Sequence, residues 1–159
     1  MHTLDVLHYG TLTSLRTLQG LPAADWLTPN VCGVWSVKDI IAHLSSFELA
    51  LADVLRVARG EPLAGLLAEL LADGQAFNDA QVAARAALSV EDTLAEFGAA
   101  NEAAMRLATA LPPAAFTKSG FLPEYGAAYD LQDFLIYTYY GHKREHGAQI
   151  AVFRDAIGR

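Results

Sequence analysis

Apolar residues recur at intervals of three and four along most of the chain, which is the spacing of amphipathic α-helices. Four long segments carry this pattern: 3–20, 36–60, 89–111 and 130–157. A further stretch, 63–88, predicts a broken helix because Gly65 and Gly74 lower its helical propensity. Phe77-Asn78-Asp79 is expected to cap its second piece. The pattern as a whole predicts an all-α domain.

Two of the predicted helices begin at a capping motif. Ser36 and Asp39 stand three residues apart, as do Ser89 and Asp92, which is the spacing of a capping box. Residues 114–129 are rich in Gly, Pro and aromatic side chains and predict a long ordered loop before the last helix. That helix, at about 1.5 Å per residue, is long enough to span a bundle. We expect one domain, 1–159.

Composition and charge remove several classes of function. The formal net charge is −7 and no basic run exceeds Lys143-Arg144, so we expect no nucleic-acid partner. No apolar run reaches the roughly 18 residues of a membrane span, and no basic cap precedes an apolar stretch near residue 1, so a cytoplasmic protein is expected. Cys32 is the single cysteine, which excludes an internal disulfide and a multi-cysteine metal site. Five histidines remain as candidate ligands.

Three of those histidines lie on apolar stripes. His142 and His146 are one helical turn apart, so their rings can converge on one ion, and His43 lies on the apolar face of the second helix. Three neutral imidazoles would leave a site open for water or an anion; they suit zinc, nickel, copper and iron, and zinc or nickel is expected. The alternative is that they are hydrogen-bonded core histidines. His2 lies at a terminus that is expected to fray, and His8 has no ligand-spaced partner.

Three further residues are candidates for the pocket around the histidines: Asp39, Tyr139 and Asn78. Asp39 precedes His43 by one turn and is expected either to orient that ring or only to cap its helix. Tyr139, one turn before His142, is a candidate to orient a bound water, and Asn78 either faces the cavity or serves as a cap. A small apolar role is expected for the cysteine, and solvent exposure for three charged residues off the stripe: Lys143, Arg144 and Glu145.

Two motifs resemble those of the DinB-like/YfiT four-helix superfamily. Residues 35–44, WSVKDIIAHL, resemble the W-[ST]-x-x-[DE]-x-x-x-H-[LI] opening of its second helix, and residues 140–150, YGHKREHGAQI, resemble its H-x-x-x-H-x-x-Q-I signature. The resemblance implies an up-down-down-up bundle, a homodimer, and a divalent metal held by His43, His142 and His146. Relatives include mycothiol-dependent maleylpyruvate isomerase and bacillithiol S-transferases, in which the metal activates a cofactor thiol.

The expected function is therefore a metal-dependent enzyme that activates a low-molecular-weight thiol or a water for transfer to a small electrophile. Two other classes stay open. One is a non-catalytic protein that sequesters a small molecule or a metal for self-protection. The other is a bundle whose histidines are structural and whose role is dimerisation. A thiol enzyme without a reactive cysteine of its own would take its sulfur from a cofactor.

Overall fold

Helices connected by loops make up the part of the chain that the computed structural model describes, residues 2–158. The α-helices are α1 Thr3–Leu18, α2 Val37–Ala58, α3 Gly65–Ala72, α4 Gly74–Ala84, α5 Val90–Thr109, α6 Pro113–Phe116, α7 Leu131–Phe134 and α8 His142–Ala156. A 3₁₀ turn spans Ala23–Leu27, and a π-helical segment, Leu135–Gly141, joins α7 to α8. Residues 2–158 contain no strand, only an isolated bridge between Cys32 and Trp35. The predicted all-α class is confirmed.

Side chains of the predicted capping motifs close two helix starts. Ser36 accepts a hydrogen bond from the Asp39 amide at 3.2 Å, and the Asp39 carboxylate accepts one from the Ser36 amide at 2.9 Å, which completes a capping box. Ser89 accepts from the Asp92 amide at 3.0 Å, but the Asp92 carboxylate takes its bond from the Ser89 hydroxyl. α5 therefore has the serine cap without the reciprocal bond to the backbone.

The break within residues 63–88 was predicted, but its cap was assigned to the wrong residues. Asp73, not Phe77-Asn78-Asp79, caps α4: its carboxylate accepts from the amides of Gln75 at 3.1 Å and Ala76 at 3.0 Å. The backbone of Asp73 is extended, at φ −157°, so the preceding helix ends there. The Asp73 carboxylate accepts from first-turn amides that have no partner within the helix. Phe77 therefore lies within α4 and not at its start, and its side chain is buried.

α1 lies alongside the last helix and α2 packs chiefly against α5. Thr3 donates to Gln132 at 2.8 Å at one end of the first pair, and Arg154 donates to the carbonyl of Thr17 at 2.6 Å at the other. These two bonds make α1 and the last helix parallel, as the up-down-down-up order requires. The complete order remains a prediction. No helix within residues 2–158 has the length and apolarity needed to cross a bilayer.

The last helix begins where the sequence predicts and then departs from α-helical geometry. Asp130 and Asp133 form its capping box. The prediction of an uninterrupted α-helix is wrong over Leu135–Gly141, where the chain is π-helical. A π turn holds one residue more than an α turn and is frequent at functional sites. It ends directly before His142.

Candidate metal centre

Three histidines from two helices meet at one point. The Nε2 atoms of His43 and His142 lie 2.9 Å apart, and so do those of His142 and His146. One ligand atom from each ring lies within 4.8 Å of the others. Nitrogens 2.9 Å apart can both lie about 2.0–2.1 Å from a common ion, the usual zinc–imidazole distance. The structure thus brings together the three residues that the sequence selected.

Hydrogen bonding fixes the protonation of one ring. The His146 Nδ1 contacts the Gln149 Oε1 at 2.8 Å, and because an amide oxygen only accepts, the Nδ1 carries the proton. The Nε2 of His146 therefore presents its lone pair to His142. A single proton can bridge only one of the two 2.9 Å contacts that meet at the His142 Nε2, so the other contact is left without a hydrogen bond, which is an electrostatic conflict in a buried cluster. A cation that accepts all three lone pairs removes this conflict, so the donor set fits a metal ion.

Burial keeps the imidazoles neutral. It lowers the pKa of His43 to about 3, with a further contribution from the charge of His146. Burial also lowers the pKa of His142 to about 2, followed by the charges of its neighbours. The pKa of His146 is lowered by burial, although its hydrogen bond to Gln149 opposes this. Neutral rings are the form that binds a metal, so the cluster needs no deprotonation at pH 7.

Aromatic rings form two walls of the site. The ring centroid of Trp35 lies 4.8 Å from that of His43 and 6.5 Å from that of His146. Phe47 lies on another side, 4.8 Å from His43 and 4.3 Å from His142. His43 and His146 are buried, whereas His142 is half-buried. The walls exclude water from most of the cluster, which strengthens electrostatic interactions within it.

Asp39 serves the helix cap. Its Oδ2 atom accepts from the amide of Ser36 at 2.9 Å and from its hydroxyl at 2.7 Å. The Nδ1 of His43 is buried and has no hydrogen-bond partner within residues 2–158. Of the two roles considered for Asp39, the structure shows the capping role.

Tyr139 and Asn78 each bury a polar atom that has no hydrogen-bond partner in the described part of the chain. Tyr139 is 1 % exposed. Burial raises the pKa of its hydroxyl well above the usual value, and the charges of Glu48 and Asp53 add to this. Asn78 lies in α4, next to Phe77, whose ring contacts that of Phe47 at 6.0 Å. A role for either residue in the pocket stays a prediction.

The remaining candidates lie outside the histidine cluster. Cys32 is half-buried in the turn before α2, where its carbonyl accepts from the Trp35 amide at 2.9 Å. His2 caps α1 by accepting from the Leu4 amide at 3.3 Å, and His8 is exposed. These two histidines do not belong to the ligand group, as the sequence indicated.

Lys143 is buried, contrary to the solvent exposure predicted for it. Arg144 and Glu145 are exposed as predicted, but Lys143 is only 2 % exposed, and its Nζ lies 2.5 Å from the Glu48 Oε1. α8 packs against α1 as well as facing α2, so more than one stripe of it is buried. α1 comes close here because it carries Gly10, whose Cβ, if present, would lie 3.6 Å from the Cδ of Lys143. Glu48 stands among apolar positions of α2, and this pattern in the sequence could have indicated that a cation is buried beside it.

The chain was compared with known families, curated proteins and solved structures. The family model described as the mycothiol maleylpyruvate isomerase N-terminal domain matches residues 10–128. No curated protein and no solved structure matched. The matched range includes Trp35 and His43 and ends before the last helix. For His142 and His146, the case for a ligand role therefore depends on the geometry described above.

Proposed function

Because the chain belongs to the mycothiol maleylpyruvate isomerase N-terminal domain family, a DinB-like family of helical domains, we propose that it is a divalent-metal-dependent enzyme. It would hold the ion with His43, His142 and His146 and activate a low-molecular-weight thiol or a water for transfer to a small electrophile. The observation that carries the proposal is the convergence of three neutral Nε2 atoms, each within hydrogen-bond distance of another.

Three imidazoles and no carboxylate suit zinc, nickel, copper and iron, and of these we propose zinc or nickel as the bound ion. When bound, the ion would supply the positive charge that lowers the pKa of a thiol or a water toward neutrality. The histidines contribute no negative charge of their own, so the full charge of the ion is available to an anionic ligand. A thiolate is such a ligand.

The surrounding residues suit a reaction with an external thiol. Trp35 and Phe47 exclude water on two sides, and the half-buried His142 leaves the site reachable. Cys32 is not in the ligand group, so a small molecule must bring the sulfur. In a transfer, the sulfur forms a bond to the electrophilic carbon, and the leaving group departs with its electron pair. In an isomerisation, the thiol adds and is then eliminated unchanged.

A sequestering protein is the second candidate. Asp39, the carboxylate closest in sequence to His43, is committed to the helix cap. The neighbour that is hydrogen-bonded to a ligand ring is the amide of Gln149, which transfers no proton. A site of histidines and aromatic rings also suits a protein that binds a small molecule without converting it.

Metal content tests the binding step. Protein purified without a histidine tag is expected to hold or take up about one equivalent of Zn²⁺ or Ni²⁺, measured by elemental analysis. His146→Ala should lower the uptake sharply, while His8→Ala, which removes an exposed histidine, should not. Less than about 0.2 equivalents, with no uptake on addition, would reject the proposal. Equal losses in the two variants would show that the site is misassigned.

Turnover distinguishes the two candidate functions. Metal-loaded protein is mixed with a chloro-dinitrobenzene and, in separate reactions, with mycothiol, bacillithiol, glutathione or coenzyme A. An enzyme consumes many equivalents of one thiol, and His146→Ala abolishes that activity. A sequestering protein stops at one equivalent per site.

A further inference from the structure

A buried ion pair joins the two helices that carry the histidines. Glu48 lies in α2, five residues after His43, and Lys143 directly follows His142 in α8. The Lys143 Nζ lies 2.5 Å from the Glu48 Oε1, and both side chains are at most 2 % exposed. Water cannot replace either partner at such burial, so each charge depends on the other for its compensation.

Two further helices join this contact. The Asn101 Nδ2 of α5 donates to the second oxygen of Glu48 at 2.8 Å and to the hydroxyl of Thr11 in α1 at 3.0 Å. Lys143, Glu48, Asn101 and Thr11 thus form one buried polar network with a member on each of the four long helices. Both carboxylate oxygens of Glu48 are engaged, which fixes its position in the core.

The network crosses the bundle where direct packing is sparse. α2 packs mainly on α5, and α8 mainly on α1, so few contacts join α2 to α8. The 2.9 Å approach of His43 to His142 lies in this same seam. Neutral imidazoles attract one another only weakly, whereas the opposite charges of Lys143 and Glu48, with Nζ and Oε1 2.5 Å apart in the dry core, attract one another strongly.

We propose that Glu48 and Lys143 are positioning residues that set the separation between His43 and the His142–His146 pair. The inference rests on the proposed function, because the separation matters only if the three rings share an ion. The ion pair holds the two helices at the distance at which the third ring completes the ligand set. Without the pair, the i,i+4 histidines of α8 remain a two-ligand site and His43 joins them less often.

The test uses a double variant that removes both charges and keeps the side-chain sizes, Glu48→Gln/Lys143→Met. Replacing both members of a buried ion pair commonly preserves folding, whereas removing one does not. The matched control is Arg85→Met/Glu96→Gln, which removes the pair at 2.5 Å between the end of α4 and α5. Zn²⁺ affinity is measured by competition with a chromophoric chelator, and urea unfolding reports whether each variant is folded.

The double variant is expected to bind Zn²⁺ about 10- to 100-fold more weakly than the parent protein, the loss typical of groups that orient metal ligands. The control should stay within about twofold. A folded double variant with the parent affinity would overturn the proposal. Should it not fold, Glu48→Asp, which keeps the charge and shortens its reach, gives the same comparison.

A second readout needs no metal and separates this proposal from the proposed function. In metal-free protein, nuclear Overhauser contacts between the ring protons of His43 and His142 should be lost in the double variant and kept in the control. If the parent protein takes up no metal but the contacts are lost in the double variant, the positioning role is supported and only the metal site is rejected. Retention of the contacts would reject the positioning role.

Discussion

Gln149 allows a test of how one of the proposed metal ligands, His146, is oriented. Its Oε1 accepts the Nδ1 proton of His146 at 2.8 Å and so leaves the Nε2 lone pair facing the cluster. Gln149→Ala removes the acceptor, and the buried ring is then free to carry its proton on Nε2, where it blocks metal binding. The substitution therefore lowers the fraction of molecules in which the His146 Nε2 offers its lone pair to a metal ion.

Two estimates give the size of the effect. A neutral hydrogen bond contributes roughly 0.5–1.5 kcal/mol, and the loss of a partner that orients a metal-bound histidine costs about 10- to 100-fold in affinity. Since a tenfold change corresponds to about 1.4 kcal/mol, the two ranges meet near a tenfold loss. We expect Gln149→Ala to bind Zn²⁺ about tenfold more weakly. Gln149→Glu, a stronger acceptor, should bind at least as tightly as the parent protein.

The assay is competition for Zn²⁺ with a chromophoric chelator, combined with ¹⁵N nuclear magnetic resonance of the imidazole rings to read the tautomer of His146. The matched control is Gln132→Ala, which removes a glutamine of α7 that accepts from Thr3 at 2.8 Å and lies far from the histidine cluster along the chain. An orienting role for Gln149 is refuted if Gln149→Ala binds Zn²⁺ within twofold of the parent protein, or if Gln132→Ala loses as much affinity.

Three further predictions concern stability. Lys143→Met leaves a buried carboxylate unpaired and should lower the free energy of unfolding in urea by about 3–5 kcal/mol, so a loss under 1 kcal/mol would contradict the burial of the pair. Gly98→Ala, with nothing within 4 Å of the added Cβ, should raise the free energy of unfolding in urea by about 0.5–1 kcal/mol. Gly10→Ala, whose Cβ would lie 3.0 Å from the Tyr140 Cδ2, should show no such gain. Metal-free protein should lose stability as the pH falls from 6.5 toward 3, because the unfolded chain protonates His43 in this range, whereas the folded protein, in which the pKa of His43 is about 3, does not. The free energy of unfolding should fall by up to about 1.4 kcal/mol per pH unit for this residue. Urea titrations with the same midpoint at pH 7 and pH 4.5 would disprove this.

The three histidines of the cluster could be predicted because their signals are local and periodic. His142 and His146 are one turn apart, and Ser36 marks the helix start that puts His43 on a buried face. Such patterns depend on the residues of one helix alone. The contact between α2 and α8 at these rings is a feature of the tertiary structure. In the sequence it was indicated by the family resemblance of the two motifs and by the apolar stripes on which the three histidines lie.

What the sequence did not reveal depends on neighbours distant along the chain. Lys143 has the charge of a surface residue, and its burial follows from Glu48 on one side and from the missing side chain of Gly10 on the other. The π-helical segment before His142 was not predicted, because the apolar residues of 131–157 were read as one α-helical stripe. The cap at Asp73 was missed because a later asparagine and aspartate offered the same chemistry in a neighbouring place.

His43 and His142 are 99 positions apart in the chain, yet their nitrogens lie 2.9 Å apart. If the proposed ion binds, the two histidines of α8 could share it in the unfolded chain, but His43 would not reach it, so the full affinity would exist only in the folded protein. A metal ion whose free concentration is 100-fold above its dissociation constant for the folded protein adds about 2.7 kcal/mol to the free energy of unfolding. The ion would then act as a removable crosslink, whose occupancy couples the lifetime of the folded protein to the metal supply of its surroundings.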